Sequence, residues 1–323
     1  MENLCNLLFE LSNEDRLRIL HQLNKKAMNV TNLSKTLGLT TQESSRHVSR
    51  LGDVGLTEKD VDGLHRLTPY GELALKQLKG LEFISQHSDY FTSHTLARIP
   101  PEFVCRIGDL VNSTHVDDVM AAFYNVDKVF REAEEYIWVI TDQYLVSTWY
   151  PLTTEAIERE VKVKQIEAKD WVVPPKIKES YRAKDMETAR RARITGLLEE
   201  RILERLDICL YMSEKEVAGV AFPFPDGRFD YLGFTATDER SHKLCRDLFQ
   251  YYWERARSRA NVAEELYRRV KKRPKAFYAL KKIAARKEIV NGKELILELE
   301  SMGLIKQGKL TKLGDLVYAR LQQ

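Results

Sequence analysis

Between Asn29 and Leu56, apolar residues recur three and four positions apart on either side of a lone glycine, Gly38. The pattern predicts a short helix over residues 31–37, a left-handed stop at Gly38, and a second helix from Thr41 to Val54 capped by Thr40 or Thr41. An earlier helix is predicted with Ser12 as N-cap and Asp15 three residues on. It carries Leu17, Leu20 and Leu23 along one side, with Ile19 flanking. Residues 55–67 alternate around Asp62-Gly63, a strong short hairpin signal, and Pro69 fits the first position of a further helix. That helix continues through Leu73, Leu75, Leu78, Leu81, Phe83 and Ile84 to about Tyr90, and Ile99-Pro-Pro marks a boundary after it. Helix, helix, turn, helix, hairpin, helix is the order of a winged helix-turn-helix.

From about Pro101 to Arg259 strand-like runs alternate with helical ones. The strands are read at Tyr136–Thr141, Val161–Ile166, Ile208–Met212, Val217–Phe222 and Phe229–Phe234, with a hairpin turn at Asp226-Gly227. Helices are read at Val126–Ala133, Thr154–Glu160, Leu197–Leu206 and Ser241–Ala256. Such alternation predicts an α/β layer structure.

The last segment repeats part of the first. Gly55-Leu56 followed by Leu67-Thr-Pro-Tyr-Gly-Glu-Leu73 is echoed by Gly303-Leu304 followed by Leu310-Thr-Lys-Leu-Gly-Asp-Leu316. The shared GL…LTxxG[ED]L reads as the corner between a hairpin and the next helix, so residues 274–323 are expected to form a second, degenerate winged helix, with residues 262–270 supplying a helix to it. The expected fold class is therefore multidomain α+β or α/β. Residues 1–70 form a winged helix-turn-helix DNA-binding domain and 71–100 a linker or dimerisation helix. Residues 101–259 form an α/β effector-sensing domain, and 260–323 a small basic winged-helix-like domain.

Length agrees with several domains: 323 residues exceed one ordinary core. With 43% hydrophobic and 31% charged residues the chain is expected to be globular and soluble. No apolar run reaches 18 residues, and the N-terminus lacks the basic and apolar regions of a signal peptide, so a cytoplasmic location without membrane contact is expected. Cys5, Cys105, Cys209 and Cys245 form no CxxC pair and are read as reduced structural thiols. The net charge of +3 hides an asymmetry: from Arg255 onward 18 Lys/Arg face 7 Asp/Glu, a net +11 that leaves about −8 for the rest. A basic end on an acidic protein points to a polyanion, most simply nucleic acid.

Chemistry concentrates on residues 41–54. Ser45, Val48 and Leu51, with Gly52, are assigned to the inward side by their spacing, which leaves Gln42, Ser44, Arg46, His47 and Arg50 projecting outward. Arg and Gln bond bidentately to guanine and adenine edges, and Ser and His take base or phosphate contacts. The candidate DNA-contacting set is Gln42, Ser44, Ser45, Arg46, His47 and Arg50, with Lys35, Lys59, His65 and Arg66 as phosphate contacts. The competing use of the same fold is protein–protein contact, as an interaction module in a larger nucleic-acid complex.

The segment Thr41-Gln-Glu-Ser-Ser-Arg-His-Val-Ser-Arg-Leu-x-x-x-Gly-Leu resembles the recognition segment of ArsR/MarR-type winged-helix regulators. Two further stretches are similar to the archaeal methanogenesis-regulatory-protein family of transcriptional regulators. One is Phe91-x-x-His94-x-Leu-x-x-Ile99-Pro-x-x-Phe103-x-x-Arg106-Ile-Gly-x-Leu110; the other joins Asp230-Tyr-Leu-Gly-Phe to Cys245-x-Asp-Leu-Phe-x-Tyr-Tyr-Trp253. The resemblance covers about residues 5–258. It implies an archaeal one-component regulator whose middle domain is an effector sensor, similar in fold to phospholipase D halves and non-catalytic. The basic C-terminal segment departs from that family's two-part layout.

Phospholipase D chemistry needs His-x-Lys, and none of the seven histidines (21, 47, 65, 87, 94, 115, 242) has Lys two residues later. P-loop, GxGxxG and HExxH motifs are missing too, so no enzyme, cofactor or metal site is expected, and a nuclease or phosphodiesterase ranks last. His87 and His94 with Asp89 between them, like His115 with Asp117 and Asp118, read as structural. Effector candidates are Asp142, Gln143, Tyr144 and Trp149, after the first strand's carboxyl end, with Trp171, Phe222 and Tyr231. The expected partners are double-stranded DNA, a small-molecule effector and a second copy of the chain, since a two-fold operator needs two readers.

Overall fold

The first two elements, α1 (Glu2–Leu11) and α2 (Glu14–Leu23), meet at a tight corner, because Asn13 and not Ser12 caps α2. The Asn13 side chain accepts from the Arg16 amide at 3.0 Å, while the Ser12 hydroxyl turns back to close α1 on the Phe9 carbonyl at 2.8 Å. The computed structural model describes residues 1–142, 149–174, 177, 179, 181–285 and 293–322, and they fall into two units, Met1–Gln86 and His87–Gln323.

The N-terminal unit continues with α3 (Val30–Leu37), α4 (Thr41–Asp53), the strands β1 (Thr57–Lys59) and β2 (His65–Leu67), and α5 (Pro69–Gln86). Asn29 caps α3 and Gly38 closes it at φ +70°, a conformation that costs glycine nothing. Thr40 caps α4 in a reciprocal box: its hydroxyl accepts from the Glu43 amide, and the Glu43 carboxylate accepts from the Thr40 amide at 2.9 Å. Ile19, Leu20, Leu23, Leu33, Val48, Leu51, Leu56 and Leu67 form its core. The expected helix to Tyr90 is shorter: α5 ends at Gln86, and α6 (Ser88–Ser93) is a separate element.

The second unit follows α6 with α7 (Pro101–Val104), a 3-10 turn (Ile107–Leu110), β3 (Thr114–Val116), α8 (Val119–Glu132), β4 (Tyr136–Ile140), α9 (Trp149–Glu158), β5 (Lys162–Ala168), α10 (Ala183–Thr195) and β6 (Leu198–Leu203). Then come β7 (Cys209–Ser213), β8 (Val217–Ala221), β9 (Gly233–Ala236), α11 (Glu239–Arg255) and β10 (Arg257–Ser258). Among the described residues the sheet has eight strands in the order β10-β6-β5-β4-β7-β8-β9-β3, parallel only at β6-β5-β4. Alternation along β4 sends Ile137 and Val139 to the face packed by α8, α9 and α10. Trp138 goes to the opposite face and stacks on Phe249 of α11, centroids 4.6 Å apart.

One expected helix is a strand. Leu197–Leu206 reads as helical on propensity, but Gly196 at φ +79° has already closed α10, and residues 198–203 pair with β5 in register Val163↔Leu198. Burial of Leu198 and Ile202 on the sheet outweighs the weaker preference of the local run. The strand expected over Phe229–Phe234 begins only at Gly233.

The chain ends with α12 (Arg259–Lys271), α13 (Pro274–Ala284), α14 (Lys293–Ser301), β11 (Ile305–Lys306), β12 (Lys309–Leu310) and α15 (Lys312–Leu321) around a core of their own, including Val270, Leu280, Leu299, Leu304 and Val317. No helix among the described residues is long and apolar enough to cross a membrane.

Candidate nucleic-acid interface

Helix α4 is rotated by about one residue from the expected register. Its buried positions are Ser44, His47, Val48 and Leu51, so Val48 and Leu51 face inward as expected while Ser44 and His47, not Ser45 and Gly52, complete the stripe. Both stripes use helical spacing and both contain Val48; packing against the α2–α3 core selects the first. Ser44 and His47 are therefore not outward contacts. Ser44 is fully buried and its hydroxyl has no hydrogen-bond partner among the described residues. His47 Nε2 lies 4.0 Å from Asp15 Oδ2, and burial together with the nearby Arg46 charge lowers its pKa. An imidazole held neutral is a poor phosphate partner.

The exposed face of α4 consists of Thr41, Gln42, Glu43, Ser45, Arg46, Ser49, Gly52 and Asp53. Of the expected set it brings together Gln42, Ser45 and Arg46, and adds Thr41 and Ser49, which sequence reasoning passed over. Ser49 lies four residues after Ser45, so its position was available once the register was known. Arg46 has no ion-pair partner among the described residues, and the Thr40 hydroxyl and amide hold the Glu43 carboxyl below its ordinary range.

Arg50 has a different task. Its guanidinium grips Glu10 of α1 through two bonds, Nε to Oε2 at 3.1 Å and NH2 to Oε1 at 2.5 Å, and lies 5.4 Å from the Phe9 ring centroid. Glu10 also binds Arg16 at 3.1 Å, and its own bonds to Arg50 raise the pKa of that guanidinium. The pair ties α4 to α1 across 40 residues of sequence, a separation that spacing patterns do not reveal.

The hairpin is built by Asp60, whose Oδ1 accepts from the Asp62 and Leu64 amides at 3.0 and 2.8 Å, with Gly63 at φ +81°. Its cations differ in availability. Lys59 is exposed and has no ion pair among the described residues, as is Lys35 on α3. Arg66 is exposed but bonded to Glu58 at 2.8 Å. The backbone of His65 pairs with Met28, and burial, reinforced by Lys59, lowers the pKa of its half-buried ring.

The effector candidates do not converge on one cavity. Asp142 follows β4, with Oδ1 buried and unpartnered among the described residues and its carboxyl pushed up by burial. Tyr231, at φ +70°, packs edge-on to Phe123 and lines a cavity of about 30 Å³ with Cys209, Tyr211 and Phe234, space for only a water or two. Trp171 is core, with the Lys312 ammonium 4.9 Å from its ring centroid. Phe222 is also core, its amide donating to the Tyr90 hydroxyl at 2.9 Å. Gln143, Tyr144 and the Trp149 side chain lie outside the described residues. The histidines read as structural are busy: His94 stacks on Tyr90 at 3.8 Å and reaches Asp230 at 3.2 Å.

No protein-family model matches the chain, and no curated protein matches it. Among solved structures the chain is similar to TrmBL2, an archaeal chromatin protein described as showing a novel mode of DNA binding. The two are 18% identical over 76% of this chain and 94% of that one, with a TM-score of 0.36. It is also similar to an O-methyltransferase family protein from Burkholderia thailandensis (11% identity, 62% and 63% covered, TM-score 0.20). A third is NcsB1, an O-methyltransferase of neocarzinostatin biosynthesis (13%, 62% and 64%, TM-score 0.21). The expectation that the chain is not an enzyme is withdrawn, because several O-methyltransferases are among the structures it is similar to. Likenesses this distant assign neither a substrate nor a site.

Proposed function

We propose that the chain is a DNA-binding transcriptional regulator whose N-terminal unit is a winged helix-turn-helix, with α4 as the helix that enters the major groove. The observation that carries this reading is the exposed face of α4: Gln42, Ser45, Arg46 and Ser49 lie together on a helix capped at both its own start and that of α3. Arg46 and Gln42 supply base-edge contacts, and Lys35 and Lys59 supply phosphate contacts from either side. Exposed Lys275 and Lys281 on α13 add phosphate contacts. A second copy of the chain pairs with the first on a two-fold operator, and the second unit carries the sensing role by shifting the population of DNA-competent forms.

The test is fluorescence anisotropy on genomic fragments across a salt series. Gln42→Ala with Arg46→Ala is expected to cost about 1–3 kcal/mol per lost base contact and to erase sequence preference. Lys59→Ala is expected to weaken all sequences alike and to flatten the salt slope by about one unit. Wild-type protein that fails to bind DNA even at low salt would sink the reading.

A further inference from the structure

We propose that a pocket beside the end of β6 binds a phosphate monoester of small-molecule size with an apolar body. This deepens the sensing half of the function proposed above and is independent of the DNA half. The pocket has a volume of about 220 Å³, below the ~300–1,000 Å³ of typical ligand sites, which sets the size of its occupant. Its floor is apolar: Ile202 from β6, Val262 and Leu266 from α12, and Met302 after α14, all buried.

Four cations stand around that floor, Lys169, Arg255, Arg257 and Arg269, against two carboxylates, Glu204 and Glu265. The carboxylates are already engaged. Lys169 reaches Glu204 at 2.9 and 3.1 Å, and Arg257 reaches Glu265 at 2.6 Å. Arg255 and Arg269 have no carboxylate partner among the described residues. Arg255 is nevertheless held in place, stacked 3.5 Å from the Tyr251 ring centroid and donating to the Tyr251 carbonyl at 3.1 Å. The surplus of two positive charges matches a phosphate dianion, and guanidinium forks suit its oxygens. The backbone makes room as well: Gly303 stands at φ +72° under the Lys169 stem, whose Cγ would lie 2.7 Å from any Cβ there. An oxyanion between Arg255 and Arg269 with its apolar part on Met302 would touch α11 and the C-terminal helices at once, so binding is coupled to how they hold together.

The experiment is calorimetric titration of the full chain with phenyl phosphate, beside benzyl alcohol and inorganic phosphate. Phenyl phosphate is expected to bind at least about tenfold tighter than either, because only it satisfies both the cations and the floor. Arg255→Gln and Arg269→Gln are each expected to weaken it about tenfold, as for a lost charged hydrogen bond. Met302→Trp fills the floor; Ser301→Trp, at the exposed rim, serves if the first variant fails to fold. Lys162→Gln, exposed at the start of β5 and outside the pocket, is expected to bind like the parent. Phenyl phosphate binding no better than inorganic phosphate overturns the proposal, as does unchanged binding by Arg269→Gln and Ser301→Trp. DNA affinity with and without phenyl phosphate separates the two halves. Binding that leaves DNA affinity unchanged supports the pocket and removes its sensing role, while no binding removes the pocket and leaves DNA reading intact.

Discussion

The corner between hairpin and following helix is built twice in this chain, with the same atoms, and put to two uses. In the N-terminal unit the Thr68 hydroxyl donates to the Gly55 carbonyl at 2.6 Å and accepts from the Gly71 amide at 3.0 Å. At the C-terminal end the Thr311 hydroxyl donates to the Gly303 carbonyl at 2.5 Å and accepts from the Gly314 amide at 2.9 Å. The preceding helices close alike, Leu56 bonding back to Leu51 at 2.9 Å and Leu304 to Leu299 at 3.0 Å. Two features then diverge. The helix before the corner is α4 in one case, with Gln42, Ser45 and Arg46 outward, and α14 in the other, with Lys293, Glu294, Leu297 and Ser301 outward, a face without net positive charge. The residue after the threonine is Pro69 in one and Lys312 in the other.

Lys312 changes what the module attaches to. Its ammonium reaches Glu167 of β5, its amide donates to the Trp171 carbonyl at 2.7 Å, and Glu200 of β6 lies 3.8 Å away. Arg259 bonds Glu167 at 3.1 Å and also meets Glu200, which Arg193 holds at 2.5 Å. Burial alone would raise the Glu200 carboxyl, but the charges of Arg259, Lys312 and Arg193 outweigh it and bring it down to about 2. A repeated scaffold thus fixes a backbone geometry and leaves function to the side chains set on it.

The comparison breaks most severely at this buried cluster. Arg259→Leu removes the cation shared by the buried Glu167 and Glu200 and leaves only Lys312 and Arg193 to hold them, an expected loss of about 3–5 kcal/mol in a urea melt of the full chain. No corresponding loss is expected from Pro69→Lys, which has no acidic pair to meet. The pH dependence follows in sign. Glu200 titrates lower folded than unfolded, so its contribution is complete above the ordinary carboxylate range and is lost as pH falls through about 4.5 toward about 2. Acid melts of the parent and of Glu200→Gln should therefore converge below that window; parallel curves would refute it.

A smaller and symmetric effect is expected at the shared glycines. A Cβ on Gly71 would lie 2.0 Å from the Leu56 carbonyl oxygen, and one on Gly314 would lie 1.9 Å from that of Leu304. Both clashes are with backbone, which must move, so Gly71→Ala and Gly314→Ala should each cost about 1–3 kcal/mol or somewhat more. Unequal losses would mean that the corners are alike only in outline. The smallest effect has the opposite sign. Ser44→Ala removes a buried hydroxyl with no partner and should raise stability by up to about 1 kcal/mol in thermal melts while leaving DNA affinity unchanged. Lost affinity would return Ser44 to the reading face and the helix to its alternative register.

The internal repeat, the Thr40 cap, and the turns at Gly38 and Gly63 were legible in the residues, because each depends on local backbone chemistry. Cap positions and glycine conformations are set within four residues of chain, and the motif GL…LTxxG[ED]L carries the whole corner. The order of elements from α2 to α5 follows from the same local signals, whereas α1 was not among the elements they predicted.

The partners of the charged side chains and the register of α4 were decided by the tertiary structure. Ser44 and Ser45 fit helical spacing equally well, and only the α2–α3 core chooses between them. Arg50 looks like a base contact until Glu10 lies beside it, and the basic tail looks like an open surface until Arg259 and Lys312 are seen paired with Glu167 and Glu200. Residues 197–206 are good helix formers by composition, yet they form β6 because β5 offers a parallel edge and an apolar face. Local free energies of a few tenths of a kcal/mol per residue yield to burial and charge pairing worth several times that, and those terms depend on residues far away in the chain.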